Sequence, residues 1–280
     1  ADMPVWPVDG GTDGVDFADL DRQLRRTRSA GLRPRALYVM PDFANPSGMS
    51  MAVAQRRQLL EVAAREDILL LEDNPYGTFH DGTAQPTLKS LDTTRQVVYL
   101  GSFAKTGFPG ARVGFAIADQ RVTGSDGSVL LLADHLSKIK SMLTVNTSPV
   151  VQAIIGGKLL AHDFSLTAAN ERETATYRRN RRQLLDGLAR RFPAGGDDGV
   201  ITWNAPSGGF FVVVTLPFDA DDALLEHSAR QHGVLWTPMA HFYAGSGGHR
   251  QARLACSQLT ADQIDAGLDR FAALVTGQRG

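Results

Sequence analysis

The sequence predicts an α/β fold, with a mainly parallel sheet in a large domain over residues 1–165 and a smaller α+β domain over 166–280. Three observations carry that expectation. Apolar runs of strand length alternate with segments of helical period through the first half of the chain. Polar motifs rich in Gly and Pro follow those runs, where strands of an open sheet end and ligands gather. Near residue 165 an arginine-rich helical stretch begins and leads into short strands of a different texture.

The elements follow in order. Residues 17–29 set Leu20 and Leu24 among Asp and Arg, the pattern of a helix with one apolar face. Residues 36–40 read as a short buried strand stopped by Pro41. Residues 51–65 have helical spacing through Val53, Leu59, Leu60, Val62 and Ala63. The runs 68–71 and 97–100 are continuously apolar, as expected of strands covered on both faces, and 113–118 is a further strand. Residues 167–192 form a long connecting helix. Strands at 200–203 and 210–216, a helix over 221–232 and a strand at 234–236 come next. A strand at 252–257 and a helix over 260–275 close the chain, with Thr260 and Gln263 spaced as a capping box.

Composition excludes several function classes. Lys plus Arg number 29 against 30 Asp plus Glu, so a net charge of -1 provides no global field for nucleic acid or an anionic membrane. The apolar runs 129–133 and 210–214 are far shorter than the ~20 residues a membrane-spanning helix needs. The N-terminal segment has no basic region followed by an apolar core, so it does not read as a signal peptide. Cys256 is the one cysteine, which leaves no intrachain disulfide or Cys-based zinc site and makes the reducing cytoplasm the default compartment. The seven histidines show no metal-binding spacing.

Four segments carry chemistry. Asn45-Pro46-Ser47-Gly48 follows the strand at 36–40; taken singly it is a turn before a helix. Asp73-Asn74-Pro75-Tyr76 follows the strand at 68–72 and puts a carboxylate at its mouth, either as a helix cap or as the partner of a cationic heteroatom. Ser102-Phe103-Ala104-Lys105 and then Pro109-Gly110-Ala111-Arg112 follow the strand at 97–100. A hydroxyl, an amine and a guanidinium near Gly107 and Gly110 suit an anionic ligand. Arg253 lies inside an apolar strand and needs an anionic partner or solvent, a structural ion pair being the plain alternative. The glycines 245, 247 and 248 lack the setting of a phosphate loop and read as a flexible loop. Arg178, Arg179, Arg181 and Arg182 read as a solvated helix face.

In order and spacing these segments resemble the pyridoxal-phosphate-dependent aminotransferases of class I/II, the fold-type-I group, from about Asp9 to Ala273. Asn45-Pro46-Ser47-Gly48 is similar to that family's NP(S/T)G, Asp73 with Tyr76 to its D-x-x-Y, and Ser102, Lys105 and Arg112 to its S-x-x-K…R. Arg253 is similar to its late-strand arginine. The resemblance implies pyridoxal 5'-phosphate as cofactor, amino acid and 2-keto acid substrates, and a homodimer. It also implies roles. Lys105 would bind the cofactor aldehyde and carry the proton at the substrate Cα. Asp73 would pair with the pyridine nitrogen, and Asn45 and Tyr76 would bond the phenolic oxygen. Ser102 and Arg112 would grip the phosphate, and Arg253 the substrate carboxylate.

Departures from the family are visible. Ala104 stands where a second hydroxyl is common, and Thr237-Pro238-Met239 replaces a more usual Pro-Gly. The family's phosphate loop, ring-stacking aromatic and partner-donated tyrosine are not found in this sequence, so the resemblance implies a match to the C-terminal two-thirds of such an enzyme. Stretches at 145–149, 203–209 and 236–243 are similar to aminotransferases of hydroxyphenylglycine and dihydroxyphenylglycine in peptide-antibiotic biosynthesis. Phe43, Trp236, Phe242 and Tyr243 are the aromatic candidates for such a substrate. The alternatives are a 2-aminoadipate, kynurenine-type or broad-range aminotransferase, the aminotransferase-like effector domain of a transcriptional regulator, and a module that binds cofactor without turnover.

Overall fold

A computed structural model of the chain describes residues 3–11, 14–107, 109–193 and 201–278. A two-residue antiparallel ladder, β1 (Gly10–Gly11) with β2 (Gly14–Val15), precedes α1 (Phe17–Ser29). The Asp16 carboxylate starts that helix by accepting the amides of Ala18 and Asp19 at 2.8 and 3.1 Å. Then come β3 (Ala36–Val39), α2 (Val53–Glu66), β4 (Leu69–Asp73), α3 (Leu88–Leu91), β5 (Val97–Ser102), α4 (Phe103–Thr106) and β6 (Gly114–Ile117). Strands β3, β4 and β5 pair in parallel and β6 pairs antiparallel with β5, giving the order β3-β4-β5-β6. Leu20 and Leu24 of α1 and Leu59 and Val62 of α2 cover Leu70 and Val97 on one face of this sheet. The mainly parallel sheet and the α/β class are as the sequence predicts.

A hairpin of β7 (Arg121–Thr123) and β8 (Val129–Leu131) leads to α5 (Leu132–Thr144) and α6 (Pro149–Leu160). Neither helix is predicted above. Most of their apolar side chains, Met142 and Leu143 among them, stay exposed, and Ile155 is the one buried apolar side chain of the two helices, although Leu132, Leu136, Ile139 and Leu143 recur at helical spacing in α5.

The helix expected over 167–192 is two, α7 (Leu166–Ala169) and α8 (Glu171–Arg191). The buried Asn170 separates them, donating to the Leu166 carbonyl at 2.7 Å. The remaining elements are β9 (Thr202–Trp203), β10 (Phe211–Thr215), α9 (Asp222–His227), β11 (Thr237–Pro238), β12 (Gln251–Ala255) and α10 (Ala261–Gly277). They build an antiparallel sheet in the order β11-β12-β10-β9. Val200, placed in a strand by the sequence, lies outside the described residues.

The helix expected over 221–232 runs as α helix only to His227, then widens to a π turn over Ser228–His232 that Gly233 ends at φ +64°. The strand expected at 234–236 is extended but unpaired, and pairing starts at Thr237 opposite Arg253. The backbone of this stretch is committed to the π turn, since the Ser228 hydroxyl donates to the Val234 carbonyl at 2.8 Å and accepts the indole N–H of the buried Trp236 at 3.1 Å. The Thr260 and Gln263 capping box forms as expected, with bonds of 2.9 and 3.3 Å.

Helices α8 and α10 pack through Leu184, Leu188, Leu268 and Phe271 against Val212 and Val214 of β10. Phe43, Tyr76 and Phe79, from the segments after β3 and β4, join this second core. That seam brings the antiparallel sheet to the carboxyl end of the parallel one. Gly208 lies in it because a Cβ there would sit 2.2 Å from the Phe43 ring.

Candidate active site

Strands β3, β4 and β5 run in parallel, so the segments that follow them emerge at one edge of the sheet. Asn45 follows β3, Asp73 ends β4 with Tyr76 just beyond, and Ser102 ends β5 with Lys105 in α4. Arg112 joins them because β6 returns antiparallel, its Gly114 opposite Ser102.

The turn bearing Asn45 is shaped by Gly48 at φ +70°, where a Cβ would lie 2.6 Å from the Phe211 carbonyl oxygen. Behind it the fully buried Arg56 donates to the Met51 carbonyl at 2.9 Å, to the Pro41 and Pro86 carbonyls at 3.1 Å, and to both Asp42 oxygens at 2.5 and 3.1 Å. Asn74 donates to the same Asp42 carboxylate at 2.8 Å, which ties the turn after β3 to the residue next to Asp73. Replacing Arg56 with Met strands a buried carboxylate. The expected cost is about 3–5 kcal/mol of stability, read as a lower urea midpoint.

Asp73 pairs in register with Leu100, and one of its oxygens accepts the Tyr38 hydroxyl at 2.5 Å. Tyr76 is buried with its ring edge-on to Phe210 and Phe211 at 5.5 and 5.7 Å. Burial raises the Tyr76 pKa and the nearby Asp73 adds to the rise, while the Arg253 charge opposes it.

Ser102 caps α4, its hydroxyl accepting the Ala104 amide at 3.1 Å. Lys105 and Arg112 are exposed. Lys158 from α6 donates to the Thr106 carbonyl at 2.9 Å, closing the other end of α4.

Arg253 projects from β12 and is held on several sides. Its guanidinium donates to the Asn45 side-chain oxygen and, at 3.1 Å, to the Thr237 hydroxyl. It lies between the rings of Phe211 and Phe242, 4.5 and 5.2 Å from their centroids. Burial lowers its pKa, with Tyr76 opposing, and a guanidinium so shifted still keeps its proton. Its Nε is buried and has no hydrogen-bond partner among the described residues. That is an open donor on a fork suited to a carboxylate.

All seven residues singled out in the sequence thus lie where the parallel strands end or, for Arg253, against Asn45. Sequence reasoning missed Tyr38 and Thr237. The signal for Thr237 is register, since it stands directly opposite Arg253, which only the strand pairing reveals. Of the aromatic candidates, Phe43 and Trp236 are core residues, while Phe242 and Tyr243 remain 41 % and 45 % exposed. Cys256 takes no part as a nucleophile, because it is buried and its thiol is pushed up to about 11. A cavity of about 530 Å³ beside Asp42, Ser50, His80, Asp81 and Ser207 contains none of the seven. Its two carboxylates are taken by Arg56 and by Arg178 and Arg181, and Arg181 is buried with a 2.8 Å bond to the Gly209 carbonyl, not on the solvated helix face that the sequence predicts.

Comparison with known proteins points the same way. The sequence profile for aminotransferase class I and II matches residues 4–271. The chain is 56 % identical over 277 residues to the (S)-3,5-dihydroxyphenylglycine transaminase of Amycolatopsis orientalis, covering 99 % of this chain and 61 % of that protein. It is 29 % identical to the 2-aminoadipate transaminase of Thermus thermophilus, covering 96 % of this chain and 63 % of that one. A crystal structure of Pyrococcus horikoshii kynurenine aminotransferase superposes with a TM-score of 0.79 at 28 % identity, covering 98 % of this chain and 64 % of that chain. The chain therefore spans about three-fifths of the length of the curated relatives it matches.

Proposed function

The chain belongs to the class I and II aminotransferases, and from that premise we propose that it moves an amino group between an α-amino acid and a 2-keto acid with pyridoxal 5'-phosphate as cofactor. The observation that carries the reading is the Arg253 fork, which reaches Asn45 at the carboxyl edge of the parallel sheet and keeps a buried, unpartnered Nε.

The donor set fits the cofactor. A carboxylate, Asp73, suits a protonated ring nitrogen, and the Asn45 amide and Tyr76 hydroxyl suit the phenolic oxygen. The Ser102 hydroxyl and the exposed Arg112 suit a phosphate, and the Lys105 amine suits an aldehyde. When bound, the cofactor supplies a carbonyl that takes up the amino group and a ring that draws negative charge away from the substrate Cα.

The protein's own residues do the rest. Arg253 binds the substrate carboxylate and, fixed between Phe211 and Phe242, sets which face of Cα is presented. Lys105 takes the proton from Cα as general base and returns it as general acid. Asp73 holds the ring nitrogen in its charged form. Tyr76 is held by two aromatic edges, so its hydroxyl meets the cofactor with little loss of freedom.

The proposed substrate is an arylglycine with its arylglyoxylate counterpart. The support is the 56 % identity to a dihydroxyphenylglycine transaminase, against 29 % to a 2-aminoadipate transaminase, and the partly exposed Phe242 ring 5.2 Å from the Arg253 guanidinium. With arylglyoxylates and aliphatic 2-keto acids as acceptors, the expected result is a kcat/KM at least about tenfold higher for the aryl series, a difference of about 1.4 kcal/mol. Preference for aliphatic acids would overturn the substrate reading and leave the aminotransferase reading standing. We further propose a cytoplasmic homodimer. No helix among the described residues is long and apolar enough to cross a membrane.

A further inference from the structure

We propose that Tyr38 is a positioning residue that holds the Asp73 carboxylate in place for the cofactor's ring nitrogen, an inference that rests on the role proposed for Asp73. Tyr38 lies on β3 opposite Leu71 of β4, and Asp73 is two residues further along β4. Side chains two apart on a strand share a face, so the tyrosine and the carboxylate rise on the same side of the sheet. The Tyr38 hydroxyl spans the gap and donates to Oδ2 of Asp73 at 2.5 Å. The backbone beneath is fixed as well, since the Asn74 amide donates to the Leu100 carbonyl at 3.0 Å.

An aspartate carboxylate turns about two torsions, and nothing in the strand pairing sets them. One charge-assisted hydrogen bond to Oδ2 removes that freedom and leaves Oδ1 for a second donor. Partial desolvation of its hydroxyl end and the hydrogen bond to Asp73 raise the Tyr38 pKa, so the phenol keeps the proton it donates. The ring itself is largely exposed, so a phenylalanine in its place keeps the fold's contacts and loses only the donor.

The test is the affinity of the cofactor-free protein for pyridoxamine 5'-phosphate, which needs no covalent link to Lys105, measured by fluorescence titration for Tyr38→Phe, Asp73→Asn and the double variant. Tyr38→Phe is expected to weaken binding roughly ten- to hundredfold, the scale of one hydrogen bond to a charged group. In the Asp73→Asn background the same substitution is expected to have little further effect, which a merely structural role would not produce. Unchanged affinity in Tyr38→Phe overturns the proposal, and so does an equal loss in both backgrounds. If Asp73→Asn itself leaves affinity unchanged, the role of Asp73 falls, and the proposal falls with it for that distinct reason.

Discussion

Replacing Lys105 with Ala is expected to lower amino-group transfer at least about a thousandfold, because one side chain is asked both to bind the cofactor and to carry the Cα proton. General acid–base catalysis alone contributes roughly 10²–10⁴-fold. Two other amines already have partners. Lys158 is committed to the Thr106 carbonyl, and Lys89 to the Val97 carbonyl and Asp119. The measurement is single-turnover conversion of an amino donor by cofactor-loaded protein, with wild type alongside. A rate within tenfold of wild type would move the proton-transfer role to another residue.

Arg253→Met carries the second large effect. The guanidinium binds the carboxylate common to amino and keto acids, so both KM values should rise together. Removing a hydrogen-bonded charge from a partly buried site costs about 2–5 kcal/mol, which at 1.36 kcal/mol per decade is roughly a 30- to several-thousandfold drop in kcat/KM. Arg253→Lys keeps the charge and loses the fork that reaches Asn45 and Thr237 at once. It should recover only part of the loss. Unchanged KM for both substrate types would place the carboxylate elsewhere.

The parallel core was legible as unbroken apolar runs, but in this chain the sheet is not covered on both faces: Leu69 and Leu71 of β4 are only half-buried and Tyr38 of β3 is exposed. Val97, Val98 and Leu70 are all buried, as their sequence implies. The site was legible for a related reason. A sheet edge collects whatever follows each strand, so Asn45, Asp73 and Ser102 had to meet once the strands ran in parallel. What the sequence hid were consequences of pairing and burial. Trp236 looks like part of a strand, yet the ladder starts only after it, at Thr237, and its indole is bonded to Ser228. Thr237 has no marker until it stands opposite Arg253, and Tyr38 has none until its hydroxyl meets Asp73. Helix α5 was legible in principle, since Leu132, Leu136, Ile139 and Leu143 recur at helical spacing, whereas α6 is apolar nearly all round and gives no one-sided stripe to read.

The edge where β3, β4 and β5 end is expected to hold pyridoxal 5'-phosphate on Lys105. Borohydride reduction of the cofactor-loaded protein, followed by proteolysis and peptide mass analysis, tests it directly. The predicted result is a pyridoxyl adduct on the peptide containing Lys105 and on no other. An adduct on Lys89 or Lys158, or a reduced protein with no adduct at all, would contradict it.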